Sequence, residues 1–318
     1  MKTISKITFL LLLIVTTACE DILEKDITNS AVQINYPLAN TNIYSNAVNF
    51  QWSKLDGATK YRIQVITPST AVVIDSTVTT NNLNIPLTEG SYQWRVRAEN
   101  NAYTSTYTNN TAFTISQTSD LTAQQIILSS PTDNYYTNNT NTIVSWQNLN
   151  AATAYNFELV NVTNNNAIVN QQSNLTATSI TLNSSILATD AQYQWKVKGL
   201  NNISQTAFAS RNIYLDRVTP NQPTNSLPTN NSTQTINQLI TFSWSSTPDS
   251  GTIQSPITYQ IEIANDSNFT SIIQTATTSN TSLQRSFSAT SDYYWRVKAI
   301  DQAGNNSITS SAFKFTIN

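Results

Sequence analysis

The feature that most constrains this sequence is a phrase written three times: YQWRVRAEN from Tyr92, YQWKVKGLN from Tyr193 and YYWRVKAID from Tyr293. In each, a Tyr, a Trp, a Val and a small residue take every second position, with basic residues between them. Successive side chains of a strand point to opposite faces. A period of two therefore puts the aromatic and aliphatic groups on one face and the charges on the other. Trp94, Trp195 and Trp295 are separated by 101 and 100 residues, the length of a whole domain.

Other landmarks repeat in register. A second tryptophan series lies upstream: Trp52 in VNFQW, Trp146 in TIVSW and Trp244 in ITFSW. Fifteen or sixteen residues before each stands a Pro with an Asn three later: PLAN from Pro37, PTDN from Pro131 and PTNN from Pro228. Nine residues after Trp52 and Trp146 come Tyr61 and Tyr155; after Trp244 the step to Tyr259 is fifteen, with the extra residues in STPDSGTIQSPIT. Each repeat closes on a short alternating segment, AFTI from Ala112, NIYL from Asn212 and AFKFTI from Ala312. No stretch beyond the first residues has a helical period. Turn signals such as LDGA and TEGS punctuate the runs. With only five Gly in the chain, Asn is expected to take many of the turn positions of positive φ. The pattern predicts an all-β chain of three tandem antiparallel β-sandwiches.

The N-terminus reads differently. MKTISKITFLLLLIVTTAC has a basic start in Lys2 and Lys6, an apolar run from Ile7 to Val15, and small residues before Cys19, the single cysteine. The run is too short to span a bilayer. The segment resembles a bacterial lipoprotein signal, with Thr16 where a Leu is commonest. The resemblance implies a signal peptide over residues 1–18 and lipidation of Cys19, a palmitate-type anchor in a Gram-negative outer membrane. The plainer alternative is an ordinary signal cut after Ala18. EDILEKDITNS follows, acidic and polar, and completes residues 19–30 as lipidated cysteine and tether. Acidic residues after such a cysteine resemble a surface-export mark, which implies exposure at the cell surface.

The repeats themselves resemble fibronectin type III domains. The matching residues are the early Trp, the Tyr of the next strand and Y-x-W-x-V-x-A on the sixth. IPLTEGSY resembles the family's turn into a tyrosine corner, with Tyr92 as the corner residue; repeats two and three lack the Gly there. The domains are expected over residues 31–117, 124–216 and 222–318, joined by short polar linkers. Strands of about ten residues give roughly 30 Å per domain, hence a rod of about 100 Å.

Composition closes several routes to chemistry. The chain has no His and one Cys, which leaves no Cys/His zinc site, no Ser-His-Asp triad, no Cys-His pair and no internal disulfide. Net charge is −2, without the basic footprint that nucleic acid requires. Six Trp divide two to a repeat, all at core parity, so none is spare for stacking sugar. Arg95/Arg97, Lys196/Lys198 and Arg296/Lys298 are expected to face out and pair across the sheet, with Glu158 and Glu262 as partners in repeats two and three and Glu99 or solvent in repeat one. Asp249, Asp266 and Asp301 gather in repeat three near turns, where Asp commonly bonds its own backbone; they are the only plausible calcium ligands, without EF-hand spacing. No cofactor, no metal residue and no catalytic residue is assigned. Loop tyrosines Tyr103, Tyr135 and Tyr136 are the candidate ligand-binding residues.

The expectation is a non-catalytic, lipid-anchored envelope protein acting as an adhesive or spacer module toward a protein or glycan partner, and not toward nucleic acid. The alternative is a glycan-binding accessory lipoprotein of a polysaccharide-uptake system.

Overall fold

A computed structural model of the chain describes residues 24–245 and 249–318. The leader and Cys19 lie outside the described residues. All regular structure among the described residues is strand. The chain divides into two compact units, one holding the first sandwich and the other the second and third.

The first sandwich has eight strands: β1 (Ile34–Tyr36), β2 (Thr41–Ile43), β3 (Ala47–Trp52), β4 (Lys60–Ile66), β5 (Val72–Val78), β6 (Asn82–Pro86), β7 (Gly90–Glu99) and β8 (Thr111–Ile115). One sheet runs β1-β3-β6 and the other β2-β8-β7-β4-β5. The pairs are antiparallel except that β2 lies parallel to β8, an exception the sequence period does not reveal. The repeated phrase is β7, central in the five-stranded sheet. Tyr92, Trp94, Val96 and Ala98 turn inward there, while Arg95 and Arg97 do not. Phe50, Trp52, Ile63, Trp94 and Val96 are fully buried between the sheets. The two upstream landmarks meet: the rings of Trp52 and Tyr61 pack edge to face, 5.6 Å between centroids.

The second unit repeats this pattern twice. Its first sandwich consists of β9 (Leu128–Ser130), β10 (Tyr135–Thr137), β11 (Thr142–Trp146), β12 (Ala154–Asn161), β13 (Ala167–Leu175), β14 (Ser179–Leu182), β15 (Ala191–Leu200) and β16 (Ala209–Leu215). The next consists of β17 (Thr224–Leu227), β18 (Ser232–Gln234), β19 (Ile240–Ser245), β20 (Ile257–Ala264), β21 (Ile272–Thr278), β22 (Ser282–Arg285), β23 (Asp292–Asp301) and β24 (Phe313–Ile317). The sheet orders are β14-β11-β9 with β10-β16-β15-β12-β13, and β17-β19-β22 with β18-β24-β23-β20-β21. Each sandwich closes over its own apolar cluster.

The Pro-x-x-Asn motif gains a structural reason. It carries the chain from one sheet to the other, from β1 to β2, β9 to β10 and β17 to β18. The peptide before each Pro is cis, and Asn40, Asn134 and Asn231 hold φ of 62°, 57° and 62°. Among the described residues, seven of the nine non-glycine residues with positive φ are Asn. Asn tolerates that left-handed region because its short side chain bonds locally, which makes up for the scarcity of Gly.

Two boundaries move relative to the sequence reading. Ile27, assigned to the tether, is fully buried in the first core. Leu121, assigned to a linker, is fully buried in the second. In both places one apolar residue in a polar stretch is anchored by a neighbouring sandwich, a signal too sparse to show as a period.

Candidate functional site

The outward face of the repeated strand is occupied by its own neighbours. On β7, Arg95 donates two hydrogen bonds to Gln64 and Arg97 pairs with Glu99 at 2.7 Å. The ring of Tyr107 lies 4.5 and 4.8 Å from the two guanidinium carbons. On β15, Lys196 faces Glu158 at 3.6 Å, Lys198 donates to Gln205, and Phe208 lies over both ammonium groups. On β23, Arg296 pairs with Glu262 at 2.7 Å and stacks on Phe269. Glu158 and Glu262 are the cross-strand partners expected from the sequence, and Glu99, expected for the first module, meets Arg97 from the same strand. Half-exposed pairs of this kind contribute a few tenths to about 1 kcal/mol each.

The tyrosines named as ligand candidates sit in different settings. Tyr103 is exposed in the loop after β7, in the first unit. Tyr135 and Tyr136 are in the second unit, and they are not in a loop: they form β10, pairing parallel with Ile213 and Tyr214. Three residues are too few to show a strand period in sequence. Tyr136 stacks on Tyr214 with centroids 4.6 Å apart, so one ring face is already covered; burial raises its phenol pKa. Tyr135 stays exposed.

A third group was only partly visible in the sequence. Asp216, Asp249 and Asp301 bring carboxylate oxygens within 4.8 Å of one another, all three residues buried. Asp266, grouped with them in the sequence reading, is instead exposed and accepts from the amides of Asn268, Thr270 and Ser271 in its own turn. Asp216 takes its place from just past the end of β16. Its amide donates to Thr137 on the neighbouring strand, and its carboxylate accepts from Val218 N and the Ser255 hydroxyl. Asp249 accepts from Gly251 N at 2.7 Å and from Gln254. A side chain at position 251 would press on that carboxylate. Asp301 closes β23 and accepts from both the backbone and side-chain nitrogens of Asn305, each at 2.8 Å. Burial, together with the neighbouring carboxylates, raises the Asp216 pKa above its ordinary value. An all-oxygen, anionic donor set is what a hard cation such as Ca²⁺ takes, and these three residues could hold one. The sequence offers Asp249 and Asp301 as plausible calcium ligands without assigning a site, and does not reach Asp216. The signal that could have pointed here is position 301, where repeats one and two have Asn100 and Asn201.

The same strand order appears three times, in register, with a tyrosine hydroxyl bonded four residues back in each: Tyr92 to Thr88 O, Tyr193 to Thr189 O and Tyr293 to Ala289 O. Each sandwich is fibronectin type III-like in that strand order and corner. Several solved structures are similar to the chain. The FN1 to FN3 domains of chicken CNTN1 are 18% identical, with 90% of this chain and 97% of that one covered at a TM-score of 0.47. The fibronectin(III)-like modules of Clostridium thermocellum CbhA are 12% identical, covering 61% and 94% at 0.40. Three consecutive titin domains are 11% identical, covering 90% and 99% at 0.37. No protein-family model matches the sequence, and no curated protein matches it. The corner is present even in the two modules that lack the Gly, because the bond uses a backbone carbonyl and is indifferent to the side chain there.

Within these fibronectin type III-like modules the residue that ends the repeated strand acts as a clamp. The Asn100 amide donates to Lys25 O and Gly57 O, and its carbonyl accepts from Ala102 and Tyr103. Asn201 does the same with Ser119 O, Ala151 O, Ile203 and Ser204. Both tie the segment entering the module to its loops. Asp301 cannot donate, and Asn305 takes over, giving its amide to Asp216 O and receiving Asn138 from the preceding module.

Proposed function

We propose that this chain is a non-catalytic adhesive or spacer protein of the bacterial envelope, held by lipid at Cys19 and exposing fibronectin type III-like modules to a protein or glycan partner. The observation that carries the reading is that the same self-contained sandwich is built three times, with its tryptophans spent on cores. Charged side chains of the repeated strands are spent on neighbours in their own sheet, and the turn aspartate Asp266 on its own loop. Modules of this kind position surfaces for contact, and function resides in whatever a particular surface grips. The leader supports the rest: a basic start, an apolar run and a single cysteine at the boundary. Two or more acyl chains hold a protein on a membrane almost permanently, at about 0.8 kcal/mol per buried methylene.

The test is partition. The wild-type chain should enter the detergent phase on Triton X-114 separation and take up a clickable fatty acid, and Cys19→Ala should do neither. A Cys19→Ala protein that still fractionates with membranes sinks the anchor. Intact cells treated with protease should lose the modules if they face outward. A glycan array probed with the soluble chain separates the adhesive reading from glycan capture. Saturable glycan binding that is lost on substitution of Tyr103 or Tyr135 would move the assignment to a polysaccharide-uptake accessory.

A further inference from the structure

The three modules differ at one place on the outward face of the repeated strand. Ser105, Thr206 and Ser307 are equivalent, since each hydroxyl accepts from the amide of the last small residue of the phrase: Ala98, Gly199 and Ala299. Two residues further on stand Tyr107, Phe208 and Thr309. In the first two modules that residue is a ring lying over the paired cations. In the third it is a threonine, and the space is a depression of about 80 Å³ lined by Gln260, Glu262, Arg296, Lys298 and Thr309. Lys198, the equivalent of Lys298, has both a ring and the Gln205 amide oxygen; the corresponding bridge residue in the third module, Asn306, does not reach Lys298. Arg296 is already served by Glu262 and, from its other side, by Phe269. Phe269 holds φ of 57° to do so, an uncommon backbone state for a bulky residue. The Lys298 side chain alone of the six outward cations has no ion pair, hydrogen bond or ring contact among the described residues.

We propose that this depression receives an aromatic side chain from a partner protein, seated over Lys298 where the first two modules place their own ring. The template is internal: the fold accommodates a ring at this position, over two guanidinium groups in the first module and two ammonium groups in the second, cations that attract the negative face of a π system. The third module keeps the cation and omits the ring. Gln260 and the Thr309 hydroxyl line the same depression and give a phenol or indole polar neighbours. This deepens the adhesive reading by naming the class of group gripped. It is independent of Cys19, so failure of the membrane test and failure of this site are distinguishable.

The experiment is a titration of the isotope-labelled chain beginning at Glu20 with N-acetyl-L-tyrosinamide, followed by NMR. Saturable shifts confined to Gln260, Lys298 and Thr309 and their neighbours are expected. Thr309→Phe, which restores the ring of the second module, should weaken binding at least tenfold by filling the slot. Lys298→Met should weaken it at least fivefold, and an unchanged amide spectrum elsewhere shows both variants folded. Absence of saturation overturns the proposal, as does binding unaltered in Thr309→Phe. Acetate or glucuronate saturating these resonances where tyrosinamide does not also overturns it, and makes the site one for carboxylate.

Discussion

At Asp216 a carboxylate is fully buried beside two others. Its pKa is raised, chiefly by burial, so the folded chain binds this proton more tightly than the unfolded chain does. The destabilisation is therefore present at neutral pH and is relieved as pH falls through the raised value toward the ordinary 3.8. Below that the sign reverses. Asp75 and Asp292 have pKa values lowered by Arg62 and Lys314, and Asp266 by backbone amides, so their contribution is lost as pH falls through those lowered values. In EDTA at pH 7, Asp216→Asn should raise the melting temperature of the second unit by about 2–4 °C, the change that about 1 kcal/mol makes at this size. It should also flatten the rise in stability on mild acidification. A lower melting point in EDTA would show that the charge is not the unfavourable element. The turn asparagines give a second residue-scale expectation. Asn231, at φ 62°, should tolerate Gly nearly without loss, while Ala there should cost about 1 kcal/mol in denaturant unfolding.

Among elements, the strands with the strongest period were legible from sequence, and those with the least were not. β7, β15 and β23 run ten residues each with alternating burial, and their tryptophans fixed both register and repeat length. β2, β10 and β18 run three residues each; their parallel pairing is dictated by the turn at Pro-x-x-Asn, which is why Tyr135 and Tyr136 read as loop. The acid cluster was legible only in part because Asp216, Asp249 and Asp301 come from a strand end, an inserted loop and another strand end, and only the fold brings them together. Corner and edge give predictions at this scale. Tyr193→Phe removes the hydroxyl bond to Thr189 O and should cost about 1 kcal/mol, with Tyr92→Phe similar despite the different turn. The edge strands β5, β13 and β21 each carry two exposed aliphatic residues in their first three positions, Val72–Val73, Ile168–Val169 and Ile272–Ile273. β13 and β21 carry no charge at all, and uncharged edges invite pairing with other chains. Placing Lys at Ile168 and Ile272 should leave stability within about 0.5 kcal/mol and raise the concentration at which the protein stays monodisperse in light scattering.

For the molecule as a whole, the point at which the packed chain begins decides how it is presented. The sequence reading gives residues 19–30 to a tether because they are polar and acidic, and only Ile22, Leu23 and Ile27 speak against it. Ile27 lies fully buried among the first core, Glu24 accepts from the backbone and side-chain nitrogens of Asn101, and Lys25 pairs with Asp56. If Cys19 carries the lipid, the five residue steps from it to Glu24, which is bonded to Asn101 of the first module, can span at most about 18 Å. The first module would then stand close to the headgroups, and reach would come from the modules. The physical core of this is Ile27, and it can be tested without the lipid. Residues 24–116 contain a complete sandwich core and should fold and melt cooperatively by circular dichroism. Residues 31–116 keep every strand but lose Ile27. Removing a buried isoleucine side chain costs about 2–5 kcal/mol, and about 1 kcal/mol moves the midpoint of a domain this size by roughly 4–8 °C. The shorter fragment should therefore melt at least about 10 °C lower, and Ile27→Ala in the longer one should reproduce most of that drop. Equal melting of the two fragments would return residues 24–30 to the tether and lengthen the leash accordingly.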